Sequence, residues 1–431
     1  MNEMNLSSPA LRVAMISLHT SPLDQPGIGD SGGMNVYVRA VAERLTREGI
    51  AVDVFTRCQG RAVPEVQTLG KLHRVIQVHA GPCAPVPKDE LPGLLPQFAQ
   101  AVLARRRLEG IGYDLVHAHY WLSGSAGEVT KAEWGVPLVA SFHTLGKVKN
   151  RVLDGDAREA PGRLAAEGSI IAQADRILAP TPAESSNLVD LYGADPERIR
   201  LVPPGVDLER FRPGDADEAK KRLGLEGKRV ALFVGRLQPL KGPEVAIRAV
   251  AEAIRRDPVS TAELVLVLVG GPSGGADRTL DVARLMELTS AERITERVRF
   301  IPPIPHEDLP TVYRAADALL VPSRSESFGL VALEAQACGI PVVASSVGGL
   351  PHVVVDGRSG LLVPGHDASG YAERLLAILR DPALASRLSR GALAHASRFS
   401  WDLTTERMRS VYEELVPAGD PTLRMTGALA P

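Results

Sequence analysis

The chain has 431 residues, and its 49 lysines and arginines against 51 aspartates and glutamates give a formal net charge of −2. A hydrophobic share of 45% is enough to fill ordinary cores, which excludes global disorder. The near-zero charge argues against a general nucleic-acid binder or a membrane-surface binder, since both usually carry a basic excess. At ~100–200 residues per domain, the length predicts roughly two to four domains.

The cysteines and the apolar runs indicate the compartment. Cys58, Cys83 and Cys338 lie far apart with no CxxC pair, so we expect neither a disulfide framework nor a zinc site. No apolar run reaches the ~18–20 residues of a membrane span. Residues 1–10 contain an acid, no basic residue and no apolar core, unlike a signal peptide. We therefore expect a soluble cytoplasmic protein with no membrane partner.

Short β-branched runs alternate with helix-length segments in the first half of the chain. Strands that are buried on both faces consist of continuous apolar runs, so this alternation predicts a parallel sheet covered by helices. After the first strand, residues 36–49 have helical apolar spacing. The predicted strands of this half are 11–19, 51–57, 73–80, 113–120, 137–144, 174–181 and 199–205.

A Pro/Gly-rich stretch over 203–215 is typical of a linker, and the alternation restarts after it. The strands predicted there are 229–236, 263–271, 298–303, 318–323, 341–347 and 360–365. The fold class is therefore α/β, with a domain over 1–206 and another over 207–398. We predict two doubly wound, Rossmann-like domains that face a cleft. Residues 399–431 are expected to form a helix capped by Ser400, able to pack on either domain, and a frayed tail.

A glycine-rich loop over 21–35 follows the first strand and His19, and leads into a helix. Ligands of open α/β sheets bind beyond the carboxyl ends of strands, and such a loop offers backbone N–H groups to an anion. Three glycines match GxGxxG, but the first lies eight residues beyond His19, and Asp53 falls early in the second strand. A dinucleotide site is thus a weak alternative. A flexible loop without a ligand is another.

Polar side chains follow later strands of the first half. They are Lys88, Tyr120, His143 and Thr144, and Arg163 lies on a predicted helix. Each has a structural alternative, a core histidine or a solvated charge. Several polar groups at the strand ends of one sheet nevertheless favour a pocket.

The second half contains two cations close together in sequence and, further on, two carboxylates. Arg236 and Lys241 follow a strand and precede a helix that Pro243 could begin, so they are suited to a diphosphate; a surface loop is the alternative. Glu326 is predicted in a turn and Glu334 inside the apolar helix after it. Burial of Glu334 is costly unless the carboxylate is bonded, so an internal structural carboxylate is the alternative to a ligand contact.

These motifs resemble a known family. GRLQPLKG followed by ESFGLVALE is similar to the donor half of retaining glycosyltransferases of family 4, which have the GT-B fold, and Glu326 to Glu334 matches their E-x7-E signature. MISLHTSPLDQPGIGDSGGMNVYV, HYWLSG and HTLGKVKN resemble the branch that acts on D-inositol 3-phosphate at the start of mycothiol biosynthesis. The resemblance covers about residues 11–416. It implies transfer of N-acetylglucosamine from UDP-GlcNAc to 1D-myo-inositol 3-phosphate with retention, releasing UDP, without a redox cofactor.

The matching motifs imply a role for each residue. The implied catalytic set is Arg236, Lys241, Glu326 and His143. The implied donor contacts are Gln25, Pro26, Gly33, Arg236, Lys241, Ile304, Glu326 and Glu334. The implied acceptor contacts are His19, Asp30, Ser31, Gly32, Gly33, Met34, Asn35, Lys88, Tyr120, Thr144 and Arg163. Segment 151–167 looks one residue shorter than the family pattern, which bears on Arg163.

The resemblance also implies a magnesium ion outside the chemistry. The matching positions are Tyr313, Arg314, Ala316 and Ile340, through main-chain oxygens, and the donor motifs have no DxD carboxylate pair.

A retaining hydrolase would need two carboxylates ~5–5.5 Å apart, one of them a nucleophile. We instead expect same-face attack, in which the leaving phosphate oxygen takes the acceptor proton.

Two other functions stay open. One is a family 4 transferase similar to sucrose-phosphate synthases, with a different sugar phosphate as acceptor, and an assay of inositol 3-phosphate against fructose 6-phosphate separates it. The other is a non-catalytic nucleotide-sugar sensor, whose expected mark is a lost donor residue; the four charged donor residues are all present. Monomer and homodimer are both compatible with the sequence.

Overall fold

The computed structural model describes residues 11–153, 158–272 and 282–416. Two sheets are present. The strands of the first sheet are β1 (Leu11–Ile16), β2 (Ile50–Arg57), β3 (Val66–Gly70), β4 (His73–Val78), β5 (Leu115–His119), β6 (Leu138–Ser141), β7 (Arg176–Ala179) and β8 (Ile199–Leu201). The strands of the second sheet are β9 (Arg229–Val234), β10 (Leu264–Val269), β11 (Val298–Ile301), β12 (Ala318–Val321), β13 (Val342–Ser345) and β14 (Gly360–Val363).

Helices cover the sheets. Those of the first half are α1 (Gly33–Arg47), α2 (Leu95–Glu109), α3 (Trp121–Trp134), α4 (Gly146–Lys149), α5 (Pro161–Gln173) and α6 (Pro182–Tyr192). Those of the second half are α7 (Ala216–Leu223), α8 (Pro243–Arg256), α9 (Val282–Ala291), α10 (Leu309–Arg314), α11 (Leu330–Ala337), α12 (Leu350–Val353), α13 (Ala368–Arg380), α14 (Pro382–Ala396) and α15 (Trp401–Leu415). No helix in these described ranges is both long and apolar enough to cross a membrane.

The strand order is β3-β4-β2-β1-β5-β6-β7-β8 in the first sheet and β11-β10-β9-β12-β13-β14 in the second. In each sheet the order in which successive strands are added reverses, beside β1 in the first sheet and beside β9 in the second, which makes two topological switch points. Ligands of open α/β sheets bind there. The central strands are buried on both faces, as in Ile50–Arg57, where all eight residues are buried. The predicted α/β class with two doubly wound sheets is confirmed.

One strand was missed. β3 pairs antiparallel with β4 at the edge of a sheet that was predicted to be parallel. Its sequence, VQTLG, is partly or fully exposed and has no continuous apolar run, so the pattern of a buried strand is absent.

The pairing of two cysteines corrects the expectation that the three cysteines form no disulfide framework. Cys58 follows β2 and Cys83 follows β4, and they form a disulfide with a Cα–Cα distance of 5.0 Å. The strands are neighbours, with Arg57 opposite Val78, so the topology brings together residues that are 25 apart in sequence. The Arg57 guanidinium also donates to two carbonyl oxygens beside Cys83. Cys338 is a buried free thiol.

Helix α15 packs against the first half, although it follows the second half in the chain. Ser400 caps it, its Oγ accepting from the Leu403 N–H at 3.1 Å. Trp401, Met408 and Tyr412 are buried in one core with α1 and the first sheet. The chain therefore crosses between the halves twice, and the crossings touch where the Val206 N–H donates to the Phe399 carbonyl at 3.0 Å.

Candidate active site

The loop between β1 and α1 contacts the second half of the chain. Gln25 Nε2 donates to the Pro303 carbonyl at 3.2 Å. A Cβ at Gly33 would lie 3.1 Å from Leu330 Cδ1, and one at Gly27 would lie 3.3 Å from the Pro303 ring. Gly27 also has a φ of +91°, which disfavours a side chain. Glycine at these two positions lets the loop approach the second half closely.

Side chains inside this loop determine its shape. Asn35 Nδ2 donates to Thr20 Oγ1 at 2.6 Å and to the Ser21 carbonyl at 2.5 Å, and its Oδ1 accepts from the Gly32 N–H at 2.9 Å. Ser31 Oγ lies 2.9 Å from Thr20 Oγ1. Asn35 and Ser31, expected as acceptor contacts, therefore use their side chains within the loop.

The other residues of the predicted run 30–35 have different surroundings. Met34 packs against two hydrophobic cores, so its side chain belongs to the interior. Gly33 is the first residue of α1, whose first-turn N–H groups have no partners within the helix. Asp30 and this helix start are thus the parts of the run suited to a ligand.

Asp30 lies between two cations from opposite halves of the chain. Its Oδ1 is 4.0 Å from Lys88 Nζ and 3.9 Å from Arg236 Nη1. Burial lowers the pKa of Arg236, and the charges of Asp30 and Glu326 oppose that effect. The predicted acceptor cation and the predicted donor cation therefore share one cleft.

The predicted acceptor residues of the first half converge. Arg163 Nη1 donates to Tyr120 Oη at 3.0 Å, and its Nη2 donates to Thr144 Oγ1 at 3.1 Å. Lys88 Nζ lies 4.6 Å from the centroid of the Tyr120 ring, and the His19 ring centroid lies 4.7 Å from it. These residues come from segments after β1, β4, β5 and β6 and from α5, and the fold assembles them at one edge of the sheet.

Two histidines of the site are neutral. Burial lowers the pKa of His19 well below its usual value, with a further contribution from Lys88. Burial lowers the pKa of His143 to about 3. Nδ1 of His19 is buried and has no hydrogen-bond partner in the described part of the chain. This nitrogen is suited to a ligand hydroxyl.

His143 connects the two halves. Its φ of +58° is rare for a residue with a side chain, and such strain is common at functional sites. Its carbonyl accepts from Ser327 Oγ of the second half at 2.6 Å. Its Nε2 lies 3.1 Å from Nδ1 of His119 at the end of β5. The second half thus fixes the backbone of His143, and the first half fixes its ring.

The donor residues Lys241 and Glu326 are partners. Lys241 Nζ donates to Glu326 Oε2 at 2.6 Å, and Ser323 Oγ lies 3.3 Å from the same oxygen. Lys241 lies in a short 3-10 turn just before α8, which begins at Pro243 as predicted. The cation and the carboxylate are therefore held together beside a helix N-terminus.

Glu334 has a separate set of partners. Its Oε1 lies 2.7 Å from His306 Nε2, and its Oε2 accepts from Tyr313 Oη at 2.8 Å. The side chain is 6% exposed, so these bonds offset much of the cost of burying a carboxylate. Ile304, an expected donor contact, packs against the core of the second half, next to Pro303.

The predicted magnesium site would use main-chain oxygens of Tyr313, Arg314, Ala316 and Ile340. Magnesium prefers carboxylate and water oxygens in octahedral geometry. The Tyr313 carbonyl already accepts from the Ala316 N–H at 2.9 Å. The magnesium site therefore stays a prediction, and the reaction proposed below does not depend on it. Within the described ranges, the one close trio of metal-binding side chain types is Cys58, His79 and Cys83, two of which form the disulfide.

One contributor, Glu167, is not predicted by the sequence analysis. Glu167 accepts from Arg163 Nε at 2.8 Å and from the Gly146 N–H at 2.9 Å. Its spacing of four from Arg163 on one helix was an available signal.

Asp53, needed for a dinucleotide site, is instead bound by Arg74 and by Tyr113 Oη at 2.7 Å. That occupation removes the main support for the dinucleotide alternative.

Comparisons with known proteins identify the family of this chain. Residues 215–395 match the family model described as glycosyl transferases group 1, and residues 31–210 match glycosyltransferase family 4. The chain is 53% identical to a D-inositol 3-phosphate glycosyltransferase of Acidothermus cellulolyticus, over 94% of this chain and 90% of the relative. It is 51% identical to one of Actinosynnema mirum, over 93% of this chain and 96% of the relative.

Solved structures show the same architecture. A sucrose-phosphate synthase from Thermosynechococcus elongatus is similar with a TM-score of 0.87 and 34% identity, over 95% of this chain and 100% of the other. The Anabaena protein HepE, solved in complex with UDP and glucose, has a TM-score of 0.73 at 20% identity, over 94% of this chain and 100% of the other, a likeness of fold. The chain therefore belongs to the D-inositol 3-phosphate glycosyltransferase family and has the GT-B fold.

Proposed function

We propose that this enzyme transfers N-acetylglucosamine from UDP-GlcNAc to 1D-myo-inositol 3-phosphate with retention at the anomeric carbon, releasing UDP, as the first step of mycothiol biosynthesis. The observation that carries the proposal is the convergence of Lys88, Arg163, Tyr120 and Thr144 in the cleft that also contains Arg236. Two cations with two hydroxyl groups suit a phosphate monoester.

The donor side follows from the charge that develops during transfer. Negative charge grows on the departing UDP, and fixed cations aimed at it stabilise the transition state. Arg236 and Lys241 are assigned to the diphosphate, and Glu326, paired with Lys241 at 2.6 Å, to the donor sugar beside it. Gln25, Pro26 and Gly33 are assigned to the donor from the facing loop. His143, neutral and fixed across the cleft, is assigned to the donor sugar as a hydrogen-bond partner.

Retention is assigned to same-face attack. The acceptor hydroxyl attacks the anomeric carbon on the side from which UDP departs, and its proton passes to the leaving phosphate oxygen. Glu326 is ion-paired with Lys241, and Glu334 is bonded to His306 and Tyr313, so each carboxylate is engaged in another role than that of a nucleophile. Because donor residues come from both halves, the closed cleft also excludes water that would hydrolyse the donor.

A UDP-release assay tests the proposal. UDP-GlcNAc, UDP-glucose and GDP-glucose would each be paired with inositol 3-phosphate, inositol and fructose 6-phosphate, and the anomeric configuration of the product would be read by NMR. We expect UDP-GlcNAc with inositol 3-phosphate to give the highest kcat/KM and an α-linked product. A faster reaction with fructose 6-phosphate would instead support the second candidate, which the likeness to a sucrose-phosphate synthase favours.

We assign Glu334 to the uridine ribose, as the resemblance implies. Glu334→Gln is expected to weaken UDP and UDP-GlcNAc by a similar factor, about tenfold or more, because a charged hydrogen bond is lost from ground and transition states alike. KM should change more than kcat. Calorimetry with UDP measures the effect, and Glu307→Gln, at an exposed position nearby, is the control. Unchanged UDP affinity would show that Glu334 serves only His306 and Tyr313.

A further inference from the structure

Arg163, a cation of the acceptor set, is already in contact with a carboxylate of the protein. Glu159 Oε2 lies 3.0 Å from Arg163 Nη1, and Glu159 Oε1 accepts from Lys149 Nζ. Lys149 ends helix α4, just after the Thr144 segment, and neither it nor Glu159 belongs to the predicted acceptor residues. Two cations and one carboxylate thus form a compact group at the proposed phosphate site.

Arg163 has no N–H left for a phosphate in this arrangement. Its Nε donates to Glu167, its Nη2 to the carbonyl and hydroxyl of Thr144, and its Nη1 to Tyr120 Oη and Glu159. These bonds use the five donors of a guanidinium. An incoming phosphate must therefore replace one of these partners.

Glu159 is the partner that a phosphate replaces most readily. Glu167 is fully buried and also accepts from the Gly146 N–H and from Tyr192 Oη, so its removal would break several bonds. The Glu159 side chain is 10% exposed, and its contacts to Lys149 and Arg163 are ones that phosphate oxygens reproduce.

We propose that Glu159 occupies the place of the acceptor's phosphate in the free enzyme, and that Lys149 is a further ligand of that phosphate after the exchange. This inference rests on the proposed function, because it concerns the same acceptor site. An anion with up to two negative charges replaces one carboxylate, and Glu159 turns towards solvent. A neutral polyol offers no charge for this exchange.

The charges of Lys149, Glu159 and Arg163 shift one another's pKa values. Burial lowers the pKa of Lys149 to about 8; Glu159 opposes this shift, while Arg163 and Lys88 add to it. Burial disfavours the charge of Glu159, yet Arg163 and Lys149 bring its pKa down to about 2. Glu159 is therefore an anion at neutral pH, as a stand-in for phosphate must be.

The exchange also has a consequence for specificity. Glu159 competes with every acceptor, and only a ligand with its own anionic group compensates for the contacts that Glu159 loses. The carboxylate thus acts as a repulsive element against unphosphorylated acceptors, a recurrent way of building selectivity.

Calorimetry with inorganic phosphate, on the full-length protein without donor, tests the exchange. Lys149→Ala should weaken phosphate binding by about 10- to 100-fold, the usual effect of losing a charged hydrogen bond. Glu159→Gln should tighten it several-fold, because the competitor loses its charge. Lys147→Ala is the matched control, since Lys147 Nζ bonds the Leu191 carbonyl and lies over the Tyr192 ring.

The same variants are then assayed for transfer. We expect the KM for inositol 3-phosphate to rise in Lys149→Ala and fall in Glu159→Gln, with UDP affinity unchanged in both. If Glu159→Gln weakens phosphate as Lys149→Ala does, Glu159 positions the cations and the proposal is wrong. Equal phosphate affinity in Lys149→Ala and Lys147→Ala also overturns it.

Failure of the proposed function would look different. Wild-type protein that binds inorganic phosphate, with Glu159→Gln tighter and Lys149→Ala weaker, supports the exchange even if inositol 3-phosphate is not glycosylated. No phosphate binding by either wild type or Glu159→Gln overturns the exchange, whatever the acceptor. Should Glu159→Gln not fold, Glu159→Ala replaces it, and the comparison of Lys149→Ala with Lys147→Ala decides the role of Lys149.

Discussion

Lys241→Ala is expected to lower kcat for transfer by about 10²–10³-fold, the typical result of removing one preorganised electrostatic contact to a developing charge. Lys241 Nζ bonds Glu326 at 2.6 Å just before helix α8, so the substitution removes a cation at the proposed diphosphate site and leaves Glu326 with only its weaker contact to Ser323. Both effects oppose the departure of UDP. The measurement is kcat with saturating UDP-GlcNAc and inositol 3-phosphate.

Controls separate this effect from a general loss of stability. Lys228→Ala removes a lysine of the same half that pairs with the exposed Glu263, and its kcat should match that of wild type. Thermal unfolding of Lys241→Ala should remain close to that of wild type, because the pair is partly exposed and such pairs contribute little. Near-normal turnover by folded Lys241→Ala would reject the assignment of Lys241 to the diphosphate.

The wild-type enzyme is expected to prefer inositol 3-phosphate over inositol by up to about 10⁴-fold in kcat/KM, since a site built for a polar group rejects an analogue that lacks it. The cations Lys88 and Arg163 lie at the Tyr120 ring, and a neutral polyol offers them no anionic partner. Lys88→Ala should reduce this preference by about 10- to 100-fold, the contribution of one charged hydrogen bond. UDP-GlcNAc binding should be unchanged.

The preference is measured as the ratio of kcat/KM for the two acceptors in wild type and Lys88→Ala. Lys71→Ala, an exposed lysine just before strand β4, serves as the control and should keep the wild-type ratio. Arg163→Ala should also lower the ratio, but it leaves the buried Glu167 without its cation, so its stability must be measured alongside. Equal use of both acceptors by wild type would mean that the proposed pocket is wrong.

The backbone plan was predictable because burial leaves a mark in the chain. Runs such as ALLV in β12 and VVAS in β13 are fully buried, and strands of a parallel sheet that are buried on both faces are near-continuous apolar runs. Pro243 marked the start of α8, and Ser400 the cap of α15, because both act on their own immediate neighbours.

Pairings between distant segments were not predictable from local patterns. Cys58 and Cys83 meet only because β2 and β4 are neighbours in the sheet, an order that no single segment encodes. Glu159 joins the acceptor site through Arg163, four residues later, and through Lys149 of helix α4, and the contact to Lys149 is not indicated by the sequence around Glu159. Asn35 was assigned to a ligand by its place in a motif, whereas the loop itself uses its amide.

The double crossing between the halves limits how they can move. A single linker would permit the two halves to rotate relative to each other about any axis. Here the outgoing chain near Gly205 lies against the returning chain at Ser400 and Trp401, and Thr404 Oγ1 donates to the Pro203 carbonyl at 2.8 Å. Two adjacent backbones held together in this way are expected to act as a hinge with one preferred axis. We therefore expect any opening of the cleft for substrate entry and product release to be a rotation about one axis that passes through the two crossings.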